Sequence, residues 1–130
     1  MILGIGIDLV DVNRFGKILG TFGKDRVFSK FLTGDEVRDF NGDAKGIVRF
    51  VAKRFCAKES FSKAVGTGIG RGIDLSDISY LHNDLGMPYI KLSEKATIFL
   101  GERFGCSCNI HISSTDEGSF VQCFTIIEKK

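Results

Sequence analysis

Apolar positions alternate over residues 2–10. Leu3, Ile5, Ile7 and Leu9 fall on one face, and Ile2, Gly4, Gly6, Asp8 and Val10 on the other. This pattern predicts a buried strand with one side nearly bare of side chains. From Val12 the period lengthens. Val12, Phe15, Leu19 and Phe22 form one helical stripe, with Arg14 and Lys17 on a different one. Thr33 with Glu36 three residues on is a capping box and predicts a short helix over 33–40. The strongest helical pattern spans 45–65, where Ile47, Phe50, Val51, Phe55, Ala57, Phe61 and Ala64 give a wide apolar face and Gly66 closes it. The Gly-rich residues 66–72 predict a loop. Strands are predicted at 78–82 and 89–92, a helix capped by Ser93 up to Phe104, and a hairpin of 109–114 with 119–128. The last strand is apolar on both faces, so it belongs at a sheet centre or in a subunit contact. Helices and strands mix without strict alternation, which predicts an α+β fold.

Composition narrows the picture by exclusion. The 130 residues suit one domain and a self-sufficient core, with twelve Phe and no Trp. No apolar run nears the ~18 residues of a spanning helix, and residues 1–9 do not read as a signal peptide. Cys56, Cys106, Cys108 and Cys123 lack zinc-site spacing and read as thiols of a reducing cytosol.

The net charge of +2 hides its distribution. Over residues 45–71 there are seven cations (Lys45, Arg49, Lys53, Arg54, Lys58, Lys63, Arg71) and one acid, Glu59, a balance of +6 against −4 for the rest. That pattern fits a multiply phosphorylated ligand, with one carboxylate kept for a divalent cation. Asp8 is a second candidate: a carboxylate in an apolar strand needs a partner or a metal, and Gly4 and Gly6 would let a ligand approach the backbone. Asp8 could instead merely end the strand and cap the next helix, a role that Asp11 could serve equally well. Lys63 shares a helix face with Glu59, where an i,i+4 ion pair is the plain reading. Amides of the 66–72 loop could cradle phosphate, although a loop after a helix is not a P-loop. His82 and His111 read as structural or surface residues.

These residues carry a resemblance. Residues 4–15, Gly-Ile-Gly-Ile-Asp-Leu-Val-Asp-Val-Asn-Arg-Phe, resemble the opening motif of the holo-[acyl-carrier-protein] synthases, the small 4′-phosphopantetheinyl transferases. Residues 49–69 resemble the second signature of that family through Phe55-x-x-Lys58-Glu59-x-x-x-Lys63, and residues 83–88 and 111–117 match two later segments. Asp116 stands where some members have histidine.

The resemblance implies a sheet packed on a long central helix in a single domain over 1–130. It implies transfer of the phosphopantetheine arm of coenzyme A to a serine of apo acyl carrier protein in fatty acid synthesis. Asp8 and Glu59 would bind Mg²⁺ or Mn²⁺, and Lys63 would act at the phosphate. The base would be water held by the metal or, failing that, Glu59 through water. Arg49, Arg54 and His111 are expected at the ribose 3′-phosphate, Gly66 and Gly68 at phosphate, and Pro88 beside the adenine. Arg14, Lys17, Lys24 and Arg26 would dock the acidic carrier. A cytoplasmic homotrimer with sites at subunit interfaces completes the expectation. Two rivals stand beside it: a basic nucleic-acid-binding module, which Glu59 and a pI near 8.4 disfavour, and a coenzyme A-binding relative without transfer.

Overall fold

A computed structural model describes residues 1–42 and 45–130. Strand β1 (Ile2–Asp11) leads into α1 (Val12–Phe22), α2 (Lys24–Phe31) and α3 (Gly34–Asp39). Helix α4 (Ile47–Val65) follows, then a loop, a 3-10 turn (Leu75–Asp77) and the hairpin β2 (Ile78–His82) with β3 (Pro88–Leu92). Helix α5 (Glu94–Phe104) and the hairpin β4 (Cys108–Glu117) with β5 (Phe120–Lys129) end the described chain.

The main sheet is antiparallel in the order β1-β5-β4, and β2 and β3 pair separately. The doubly apolar β5 is therefore central, as its pattern predicts. Helix α4 lies across one face of this sheet. Tight packing between them explains the glycines of β1. A Cβ on Gly4 would stand 2.0 Å from the Ala64 carbonyl oxygen, and one on Gly6 would stand 2.0 Å from that of Ser60. The bare side of β1 thus admits the helix backbone, not a ligand, which corrects the sequence expectation. Across the same seam the Ser60 and Thr125 hydroxyls lie 2.7 Å apart, both buried.

The opposite sheet face carries a second correction. Ile5, Ile7 and Leu9 were expected inside, yet they are exposed, together with Phe120 and Phe124 of β5. Apolar residues read alike whether their cover comes from the same chain or from another.

Two apolar clusters fill the interior. One joins Phe15, Phe28, Val51, Ala52, Tyr80 and Val121; the other joins Phe61, Ile73, Ile78, Leu100 and Ile127. Phenylalanines of the first cluster meet edge to face, as in Phe15–Phe31 and Phe28–Phe40. Most helix ends follow their sequence signals. Asp11 caps α1, Thr33 and Glu36 close the capping box of α3, and Gly66 ends α4 in a left-handed conformation. The sequence reading had no separate α2. Gly23, at φ 81°, breaks the helical path, and a new helix begins at Lys24.

Candidate active site

Asp8 pairs across the ladder with Cys123, on the sheet face turned toward α4. Its side chain is 14% exposed and receives a hydrogen bond from Lys63 Nζ at 2.8 Å. The same ammonium donates to the Ile7 carbonyl at 3.0 Å. Lys63 therefore reaches the strand and forms no ion pair with Glu59, and the bond to Asp8 is the main reason its pKa is raised.

Glu59 is half-buried one helical turn before Lys63. Burial, then the charge of Asp8, push its carboxyl above the usual range, against the opposing influence of Lys63 and Arg14. Two carboxylates, a lysine and an arginine thus feel one another at the seam of β1, α1 and α4. A cavity of about 390 Å³ on the exposed apolar sheet face is lined by Ile5, Gly6, Ile7 and Phe124 and reaches Lys63.

The donor chemistry fits a hard divalent cation completed by its ligand. Among the described residues no cluster of three or more His, Cys, Asp or Glu side chains could hold a metal alone. Mg²⁺ keeps several waters and is usually held by one or two carboxylates plus substrate phosphates, which matches a site of two carboxylates.

Other expected site residues lie elsewhere or are engaged. The Gly66 N–H donates to the Ser62 and Lys63 carbonyls, and the Gly68 N–H to Ser62. Those two amides cap the C-terminus of α4 and are engaged within the chain. Arg49 donates to Asp116 at 2.7 Å and to the Gly118 carbonyl at 3.0 Å. Asp116, whose role the motif left open, also lies 3.7 Å from Lys53.

Arg54 is buried, not a free surface cation. It donates to Asp39 at 3.2 Å, and its guanidinium lies 3.6 Å from the Phe50 ring centroid. Its Nε is buried without a hydrogen-bond partner. Pro88 faces His82 in the β2–β3 ladder, and burial followed by the charge of Arg54 lowers the His82 pKa. His111 is exposed on the sheet face away from α4, 2.9 Å from Glu128, so it does not face Asp8 within one chain.

The basic stretch is not one exposed face. Five of its seven cations have acidic partners from outside it: Arg49 and Lys53 with Asp116, Arg54 with Asp39, Lys58 with Glu36, and Lys63 with Asp8. A helix distributes its residues around its axis, so a run of cations in sequence becomes several separate environments.

The four expected docking cations divide between two helices. Arg14 is exposed, with its guanidinium 5.4 Å from the Phe55 ring centroid. Lys17 is exposed on α1, and Lys24 lies 5.3 Å over Phe28. Arg26 borders a cavity of about 340 Å³ between α1 and α2 with Ile18, Phe22, Val27, Lys30 and Phe31. The sequence reading missed this groove and Lys30. Its signal was present in apolar residues spaced on either side of Gly23.

A small α+β frame sets a strand carboxylate against a helix lysine, with a helix carboxylate one turn away. The model of the 4′-phosphopantetheinyl transferase superfamily matches residues 4–123, and the chain belongs to that superfamily. It is 40% identical over 129 residues to the holo-[acyl-carrier-protein] synthase of Dechloromonas aromatica, covering 98% of both chains. Its fold matches the crystal structure of that synthase from Neisseria meningitidis with a TM-score of 0.89 at 36% identity, over 99% of this chain and 100% of the other. The Bacillus anthracis synthase, solved in complex with CoA (3′,5′-ADP), matches at 0.78 with 32% identity, over 100% of this chain and 99% of the other.

Proposed function

We propose that the chain transfers the 4′-phosphopantetheine arm of coenzyme A to a serine of apo acyl carrier protein, supplying fatty acid synthesis. The carrying observation is the meeting of Asp8, Glu59 and Lys63 on this fold. Relatives of this length and similarity bear the name of that activity.

The serine Oγ attacks the β-phosphorus of coenzyme A in line. The new bond is serine O–P; the bond broken joins that phosphorus to the bridging oxygen, which leaves on adenosine 3′,5′-bisphosphate. Lys63, with its charge at the mouth of the cavity, stabilises the negative charge that builds on these oxygens. Glu59 takes the serine proton through water. Burial and the charge of Asp8 raise its pKa, which makes the carboxylate a better proton acceptor than a free one. Asp8 and Glu59 would hold Mg²⁺, or Mn²⁺, which when bound supplies positive charge to the diphosphate.

Arg49 and Arg54 remain our candidates for the ribose 3′-phosphate, with Pro88 bordering the adenine. Gly66 and Gly68 serve by shaping the end of α4 after Lys63. The groove between α1 and α2, rimmed by Arg26 and Lys30, with Arg14, Lys17 and Lys24 nearby, suits an acidic carrier helix with an apolar stripe.

A second copy of the chain covers the exposed face of Ile5, Ile7, Leu9, Phe120 and Phe124, in a homotrimer. Exposed apolar surface of this extent calls for a partner. The cavity at Lys63 opens onto that face, and His111 lies on it. Both support a site completed between subunits, with His111 serving the neighbouring copy. Four unpaired cysteines fit a reducing cytoplasm, and no helix among the described residues is long and apolar enough to cross a membrane.

One incubation tests the proposal. The protein, coenzyme A, Mg²⁺ and apo carrier are mixed and the carrier is weighed by mass spectrometry. A gain of one phosphopantetheine is expected; an unchanged carrier with folded protein refutes the activity.

A further inference from the structure

Lys58 and Glu36 form an ion pair that neither the metal nor the phosphate chemistry uses. Both side chains are fully buried, with Lys58 Nζ 2.6 Å from Glu36 Oε1. Every donor of the ammonium is engaged, since it also donates to the Phe31 carbonyl at 2.6 Å and the Leu75 carbonyl at 3.1 Å. Glu36 accepts from the Thr33 N–H at 2.9 Å and the Tyr80 N–H at 3.1 Å. One pair therefore ties α2, α3, β2 and the 3-10 turn to α4.

Stability does not explain it. A buried ion pair often contributes no more than well-packed apolar residues of the same volume. What an apolar contact lacks is direction: it tolerates sliding, whereas three hydrogen bonds from one ammonium hold three elements at set positions. Position matters here for a local reason. Phe31 lines the groove between α1 and α2, and its carbonyl is one of the Lys58 acceptors. Lys58 immediately precedes Glu59 on α4. Helix α2 has only eight residues, too few to hold its geometry unaided.

We propose that the Glu36–Lys58 pair positions the carrier-docking groove relative to Glu59, so that a docked carrier presents its serine within reach of the base. The inference rests on the proposed reading of the groove. Lys58 and Glu36 are positioning residues, since neither touches substrate. Misplacement of reacting groups by an ångström can cost about 100-fold in rate, so modest slippage of α2 is enough to be read.

The test removes both charges at nearly constant volume, as Glu36→Gln with Lys58→Met. Steady-state transfer is measured with carrier and coenzyme A varied separately, alongside thermal unfolding. The expected result is a folded protein whose kcat/KM for the carrier falls about 10-fold or more. Its KM for coenzyme A should stay within about twofold, because the nucleotide contacts lie on other side chains. A Glu36→Gln/Lys58→Gln variant, which keeps a donor toward Phe31, should recover part of the loss. Wild-type transfer with an unchanged carrier kcat/KM in the folded double variant would overturn the positioning role alone. Absence of transfer by the wild type would sink the functional reading instead. Should the variants fail to fold, amide hydrogen exchange of the wild type decides: docking of apo carrier should slow exchange at residues 55–59, and unchanged exchange there refutes the coupling.

Discussion

Lys63 crosses from α4 to β1 and sets its ammonium 2.8 Å from the Asp8 carboxylate. Helix spacing would have paired it with Glu59. The strand wins because Gly4 and Gly6 draw the helix so close that the lysine spans the gap and also reaches the Ile7 carbonyl. Glu59 is left without that neutralising contact.

Lys63→Met should therefore act on chemistry more than on folding. The Asp8–Lys63 pair is partly open to water, and such pairs contribute at most about 1 kcal/mol. Transfer should fall about 100-fold or more through kcat, the size seen when one charge-stabilising donor is lost. A lysine serving only the fold would instead lower Tm and leave kcat intact.

Glu59→Gln should abolish transfer and raise stability. The folded chain holds this carboxyl above its ordinary pKa, so folding favours the protonated form. That preference contributes fully below the ordinary carboxyl pKa and is lost as pH rises through the raised value. Glutamine imitates the protonated form, so the variant should melt higher than the parent at pH 7. The difference should vanish below about pH 4. Melting curves across pH test this, and a lower Tm at pH 7 would contradict it.

Gly6→Ala should be among the most damaging single-methyl additions in the chain. The new Cβ would meet backbone atoms of α4 at 2.0 and 2.5 Å, which cannot rotate away. Overpacking of this kind costs about 3 kcal/mol or more. Urea unfolding measures it, and a loss under about 1 kcal/mol would mean the seam is looser than described.

Arg14→Glu should weaken carrier binding more than coenzyme A binding, since Arg14 is exposed beside Phe55 and near Glu59. Titration of each ligand separates the two. Equal losses would place Arg14 in the nucleotide site.

Ile7→Lys and Phe124→Lys should break the proposed homotrimer. Both residues lie on the exposed sheet face and line the cavity at Lys63. Light scattering should report monomers, with transfer lost alongside. An unchanged mass for both variants would remove this face from the subunit contact.

Most of the local structure was legible in the chain. Capping residues, closing glycines and apolar periods belong to neighbouring positions, and they marked β1, α1, α3, α4, α5 and both hairpins. Helix α2 escaped because it is short and follows α1 after a single glycine, so the two periods blur. Asp8, Glu59 and Lys63 were readable as candidates because a carboxylate in an apolar strand and a lone acid among cations are chemically anomalous.

Partnership, by contrast, was decided only by the tertiary structure. The chain shows seven cations along one stretch, but the helix turns them toward Asp116, Asp39, Glu36 and Asp8, each distant in sequence. The glycines of β1 signalled a close approach without naming what approaches, and the fold answers with α4. Local order follows from short-range sterics and hydrogen bonding, which a sequence displays directly. Which charge meets which, and which apolar face stays uncovered, depends on contacts between residues far apart along the chain.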